Sequence, residues 1–205
     1  MAVSVKLTKS GLRSEQEKLF QLQKYLPTLQ LKKAMLQLEF NNVCVSLQKL
    51  EKKFSIERKG LDELIPLLGR APDTEVLFFT QVESIQKRYE NLAGVEVPVF
   101  EGVTFPEETY SLFSTPMWMD TALDRIKNVV KLREEIRIQE EKKYALEKEL
   151  LEVSIRVNLF EKILIPRSLG NIRKIRIFLG DQALSAVAQS KVAKQKIFAK
   201  KEKRI

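Results

Sequence analysis

The sequence contains no histidine and a single cysteine, Cys44, in 205 residues. The first absence removes the commonest general base and the commonest metal-binding side chain together. The second excludes an internal disulfide and any zinc cluster, and suits a reducing compartment. Glycine and proline are scarce at seven each, and five of the prolines (66, 72, 98, 106 and 116) crowd into one stretch. Long apolar runs are missing too. The longest segment without Asp, Glu, Lys or Arg is Thr109–Met119, well short of the ~20 residues a membrane-spanning helix needs. The opening MAVSVKLTKSGLRSEQEK has no apolar core of a secretory signal. A chain without direct membrane insertion is expected.

Catalytic chemistry is equally thin. Neither G-x-x-x-x-G-K-[ST] nor G-x-G-x-x-G occurs, so no phosphate-cradling loop is visible. The acidic pairs Glu134–Glu135 and Glu140–Glu141 read as solvated helix surface. Cys44 sits between Val43 and Val45 and reads as a small buried or half-buried residue, not a nucleophile. The expectation is a protein with no catalytic residue, no cofactor and no metal, and hence no enzyme by itself.

What the sequence does have is a repeat. Stepping alternately three and four residues from Leu19 to Leu68 meets Leu, Val or Phe at every position except Lys33 and Glu57. A 3.5-residue period held this long marks a left-handed coiled coil, because a straight 3.6-residue helix would drift off it. A second seam runs through Leu146, Leu150, Val153, Val157, Phe160 and Leu164. After a shift it resumes at Ile165, Leu169, Ile172, Leu179, Ala183, Ala186, Ala193 and Ile197. Between Lys127 and Glu149 the charges alternate in sign, with Lys131/Glu135, Arg137/Glu141 and Lys143/Glu147 four apart, which supports a solvated helix.

Two arms with apolar seams and a connection between them most simply fold back on each other. The expected fold is therefore mainly α, a long antiparallel two-helix coiled coil with a small middle region. The arms are residues 1–68 and 118–205, and the middle region is 69–117. Within it, Val95, Val97 and Val99 alternate with Glu96 and Pro98, and Ile85, Lys87 and Tyr89 alternate before the turn-like Asn91–Gly94. That pattern predicts a β-hairpin over about 81–105, with Pro98 confining its strand to an edge. Thr109–Met119 is expected to be a loop or short helix that packs its aromatics on the arms. Pro27 and Pro166 fall inside the arms, where each costs ~3 kcal/mol and tends to kink a helix. In the antiparallel register they would lie at nearly one height, which suggests a shared bend or compliant point. Gly170 and Gly180 are read as packing positions or local breaks.

The chain carries 36 Lys and Arg against 27 Asp and Glu, an excess that favours acidic or polyanionic partners. Seven of the cations lie between Lys191 and Arg204. They suit the negative end of a helix dipole, a nucleic acid, or an electronegative protein cavity. Phe198 is the tail's lone aromatic, and no nucleic-acid motif accompanies it.

The block Arg156-Val-Asn-Leu-Phe-Glu-Lys-Ile-Leu-Ile-Pro-Arg167, with Ile172, Ile175 and Leu179 after it, closely resembles the C-terminal signature of the D subunit of V-type (archaeal/vacuolar-type) ATPases and ATP synthases. Asn91-Leu-Ala-Gly-Val-Glu-Val-Pro98 is similar to that family's middle motif, and Lys6-Leu-Thr-Lys-Ser with the arm through Phe40 to its opening helix. The resemblance covers essentially the whole chain. It implies a non-catalytic rotor shaft, peripheral on the cytoplasmic side of a membrane. The implied partners are the catalytic A and B subunits of a hexamer, the F subunit of the central stalk and the socket subunit on the membrane rotor ring. It implies no nucleic acid. The residues expected at the hexamer are Lys194, Lys196, Lys200 and Lys201. Tyr89, Asn91, Gly94 and Val95 of the hairpin are expected to modulate hydrolysis or meet the stalk partners. Arg156, Asn158, Glu161 and Arg167 of the signature have either a contact role or a role flanking the seam. Exposed charge in place of a large apolar patch is expected to allow sliding. A coiled-coil tether and a basic nucleic-acid binder are the competing readings.

Overall fold

The computed structural model describes residues 6–62, 66, 79–107 and 118–202, with side chains described as far as Phe198 at the C-terminal end. In chain order it has helix α1 (Lys9–Asp62), strands β1 (Ser84–Leu92) and β2 (Val95–Thr104), helix α2 (Met119–Leu159), a π-helical turn (Phe160–Leu164) and helix α3 (Ile165–Glu202). The fold is mainly α, an antiparallel pairing of the N- and C-terminal arms with a two-stranded hairpin in the middle. Two compact units are present, one of residues 32–153 and one of 1–31 with 154–205.

In the unit of residues 32–153, α1 and α2 run in opposite directions. Arg125 Nη1 donates to the carbonyl of Gly60 at 3.0 Å, while Lys32 Nζ pairs with Glu149 Oε1 at 2.7 Å. Leu36, Val43 and Leu47 of α1, and Ile138, Leu146 and Val153 of α2, are buried. The sequence-derived seam holds in α1: its members at 33, 40, 50 and 54 are half-buried, and only Glu57 is exposed. Each buried Leu, Ile or Val contributes ~1.5–3 kcal/mol gross, more than any exposed ion pair. Of the three i,i+4 pairs foreseen on α2, Arg137–Glu141 forms, at 3.9 Å. Lys131–Glu135 and Lys143–Glu147 do not close, because solvated long side chains gain little from fixing one rotamer.

The hairpin turns on Ala93 (φ 52°) and Gly94 (φ 85°), positive at both central positions as a type I′ turn requires. Asn91 Oδ1 accepts the Gly94 N–H at 2.8 Å. Pairing runs from Leu92↔Val95 to Ser84↔Thr104, with Lys87 opposite Phe100 and Gln86 opposite Gly102. Glu101 is thus the extra residue of a β-bulge. Hydrogen-bonded and non-bonded pairs alternate outward from the turn, so Tyr89↔Pro98 is a non-bonded pair. The missing N–H of Pro98 therefore costs no ladder bond. Val97 is fully buried, and Pro98 is buried as well. The hairpin lies along the helices: Lys87 pairs with Glu141 at 2.8 Å, and Lys127 stands 5.6 Å from the ring centre of Phe105. Trp118 packs on a cluster of Phe79, Met119 and Leu123. The remainder of the expected aromatic segment, residues 109–117, lies outside the described residues, as do seam positions 64 and 68.

In the unit of residues 1–31 and 154–205, α1 opens with Thr8 as its cap. Thr8 Oγ1 accepts the Gly11 N–H at 3.1 Å, and its carbonyl accepts the Leu12 N–H at 2.9 Å. The chain before it folds back, so that a Cβ on residue 11 would stand 2.3 Å from the Lys6 carbonyl oxygen. Only glycine fits there. Asn171 Nδ2 donates to Glu15 Oε2 at 3.2 Å, which sets the antiparallel register and puts Pro27 at the level where the π turn begins.

The two prolines are accommodated differently. α1 continues as helix through Pro27, with Thr28 Oγ1 donating to the Tyr25 carbonyl at 2.7 Å. In the other arm the irregularity comes ahead of Pro166. The Ile165 N–H reaches back to the carbonyl of Phe160, an i→i+5 bond that widens the turn and admits one extra residue. That extra residue explains the phase shift in the sequence. A heptad carried from Val157 through Phe160 and Leu164 would continue at 167, 171, 174 and 178. The side chains that are buried are Ser168, Ile172 and Ile175, with Leu179 half-buried, each one position later.

Several expectations for this arm are corrected. Leu169 is exposed, because the seam beyond the π turn runs through Ser168 and Ile172 and leaves residue 169 beside it. Ala183, Ala186, Ala193 and Ile197 are also exposed, as is every side chain from 180 to 198. The register puts the first turn of α1 opposite the region before Leu179, so this part of α3 has no helix to face among the described residues. Gly170 and Gly180 are neither breaks nor packing positions: α3 runs through both, and nothing lies within 4 Å of where a Cβ on either would stand.

Candidate interaction surfaces

Three surfaces carry the residues singled out from the sequence. At the hairpin's turn, Asn91 and Gly94 build the turn itself, and Val95 is half-buried opposite Leu92. Tyr89 is different, since its ring is 67% exposed. Beside the turn, Ala34, Met35, Leu38 and Glu39 of α1 with Asn91, Leu92 and Ala93 line an apolar groove. Along the strand, Arg88 is paired with Glu90 and stands 3.8 Å from Glu101. The hydrogen bond to Glu90, then its negative charge, raises the Arg88 pKa above its ordinary value. A raised cation is retained below that pKa, so the Arg88 guanidinium stays charged through the neutral range.

The signature residues Arg156, Asn158, Glu161 and Arg167 are all exposed, the first two on α2 and Glu161 on the π turn. Of these four, Arg167 alone lines a cleft, together with Lys6, Ser10, Gly11, Ser14, Glu15, Lys18, Leu164, Ser168 and Asn171. The sequence reading missed this cleft. Its one signal was the phase shift at Leu164–Ile165, which displaces a polar residue into the seam.

The third surface is the end of α3. Lys194 and Lys196 are exposed there, while the side chains of Lys200 and Lys201 lie outside the described residues. The face is not the purely charged one expected: Leu184, Val187, Val192, Ile197 and Phe198 are 48–71% exposed. Among the described residues nothing covers this apolar stripe, and exposed apolar area of this kind suits a contact surface. Among the described residues no group of His, Cys, Asp and Glu is placed to hold a metal. None of the described helices is long and apolar enough to cross a membrane.

Comparison with known proteins places these surfaces in a family. The family profile of the ATP synthase D subunit matches residues 11–195. A V-type ATP synthase D subunit of Chlamydia pneumoniae is 43% identical over 204 residues, covering 98% of this chain and 97% of its own. The one from Chlamydia abortus (strain DSM 27085 / S26/3) is 42% identical over 205 residues, with 98% of both chains covered. That of Chlamydia trachomatis serovar L2 (strain ATCC VR-902B / DSM 19102 / 434/Bu) is 40% identical over 210 residues, covering 98% of this chain and all of its own.

Proposed function

The chain belongs to the ATP synthase D-subunit family, and on that footing we propose that it is the central-stalk rotor shaft of a V-type ATPase or ATP synthase. In this reading it carries torque between ATP hydrolysis or synthesis in a hexamer of A and B subunits and proton or sodium movement in a membrane sector. The observation that supports it most is the end of α3, where an apolar and cationic helix surface has no cover from residue 180 to 198 among the described residues. Such an end fits inside a surrounding protein collar better than in water.

The physics suits a shaft. A seam of buried Leu, Val and Ile couples two helices that would twist separately if alone, and so stiffens both. The arms 1–68 and 118–205 form the axle, with Lys194, Lys196, Lys200 and Lys201 toward the hexamer. The middle region 69–117 faces the F subunit and the socket subunit on the membrane ring, with Tyr89, Asn91, Gly94 and Val95 at the stalk contact or acting on hydrolysis. Arg156, Asn158, Glu161 and Arg167 flank the seam where the two arms meet. The chain itself is non-catalytic and peripheral, on the cytoplasmic side of the membrane. An asymmetric shaft biases three similar catalytic interfaces toward different states according to its angle.

The test is deletion of 191–205 in the reconstituted complex. ATP hydrolysis and ion transport are then measured together, with the full-length chain alongside. Loss of the ion transported per ATP, with the hexamer still hydrolysing, is the expected result. Unchanged coupling would overturn the reading. Steeply salt-dependent binding of RNA or DNA by the tail, without hexamer binding, would favour the nucleic-acid alternative.

A further inference from the structure

We propose that the cleft between the first turn of α1 and the start of α3 receives a carboxylate from an acidic segment of the hexamer, an inference that rests on the shaft reading above. Three observations converge on it. The first is the open end of α1. Thr8 takes up the amides of Gly11 and Leu12, leaving those of Lys9 and Ser10 without a partner among the described residues. Open amides and the positive end of the dipole favour an anion.

The second is Ser168. It occupies a buried seam position at 8% exposure, lines the cleft, and its hydroxyl makes no hydrogen bond within the described chain. An unmatched hydroxyl on the wall of an open cleft is available to an acceptor that enters it. The third is charge. Lys6, Lys18 and Arg167 border the cleft against a single carboxylate, Glu15. Both Glu15 oxygens are already engaged, by Lys18 at 3.1 Å and by Asn171 at 3.2 Å. The remaining field is positive.

The cleft is open, and Lys18 keeps 61% of its side chain in solvent. A free anion there would give up its own translational freedom for partly solvated contacts. A carboxylate held on a neighbouring subunit has already given it up. That difference favours a tethered acid over a free phosphate.

The experiment uses the full-length chain and the hexamer of A and B subunits, with affinity measured at several NaCl concentrations. Arg167→Glu is expected to weaken binding about tenfold or more and to flatten the salt dependence. Ser168→Ala should weaken it by about threefold, in line with one lost hydrogen bond. Lys174→Glu, an exposed reversal outside the cleft, should leave affinity within about twofold. Both α3 reversals are on exposed positions, and a thermal melt of each confirms folding. Carbodiimide cross-linking of the wild-type complex should join Lys6 or Lys18 to an Asp or Glu of the hexamer. The cleft is excluded as a docking point if Arg167→Glu and Lys174→Glu behave alike, or if only lysines outside it cross-link. Displacement of the hexamer by millimolar inorganic phosphate at constant ionic strength would make it a free-anion site and overturn the named occupant. Failure of the wild-type chain to bind the hexamer at all would sink the shaft reading and this occupant with it.

Discussion

Lys32 Nζ and Glu149 Oε1 meet at 2.7 Å between α1 and α2, with 31% and 25% of their side chains exposed. Lys33, its neighbour, occupies the seam position itself and is half-buried. The seam's one cationic interruption in this region is thus flanked by a pair that fixes the register. A double-mutant cycle with Lys32→Ala and Glu149→Ala should give a coupling of about 0.5–1 kcal/mol that falls with added salt. Urea unfolding at two salt concentrations measures it.

Burial, not hydrophobicity alone, decides what a leucine on α2 contributes. Leu146 is fully buried and Leu151 is 63% exposed. Leu146→Ala should cost about 2–5 kcal/mol, and Leu151→Ala about 0.5 kcal/mol or less. Chemical denaturation of the two variants side by side checks the difference.

The π turn makes an unusual deletion tolerable. Removing Lys162, an exposed residue within it, takes out the extra residue and lets Ile165 enter the seam. Paired with Pro166→Ala, the deletion should leave a continuous α-helix with melting temperature close to that of the parent. Removing Lys174 from α3 instead rotates everything beyond it by about 100° and should lower the melting temperature sharply. Hydrogen exchange across 160–166 should slow in the first variant, because an ordinary i→i+4 ladder replaces the widened turn.

The hairpin turn is one residue away from the sequence such turns favour most. Ala93 bears a positive φ of 52°, which a side chain with a Cβ resists by roughly 1 kcal/mol. Ala93→Asn should stabilise the hairpin by a few tenths to about 1 kcal/mol, since Asn-Gly suits a type I′ turn. Gly94→Ala, at φ 85°, should destabilise it by about 1 kcal/mol or more. Exchange rates of the amides in β1 and β2 report both.

The α1 seam was legible to the residue because a heptad repeat is a local record of which side chains face a partner. The hairpin was legible for a similar reason: Val95, Val97 and Val99 alternate, and Asn91–Gly94 carries turn chemistry. The burial of Pro98 was not, because it depends on which helices the hairpin lies against. The phase shift at Leu164–Ile165 was visible, but its cause was not. A missing beat in a repeat does not say whether the helix breaks, bends or widens.

The candidate surfaces divide along the same line. Composition and spacing alone were enough for two helical arms, a hairpin between them and a cationic end, because period and charge are properties of the chain. Which apolar residues find cover was decided only when α1 and α3 were set side by side, since α3 passes beyond the first turn of α1. The cleft around Arg167 and Ser168 likewise arises from residues 6–18 and 164–171, at opposite ends of the chain. It depends on one widened turn, which the phase shift at Leu164–Ile165 marks in the sequence without saying that the helix widens there.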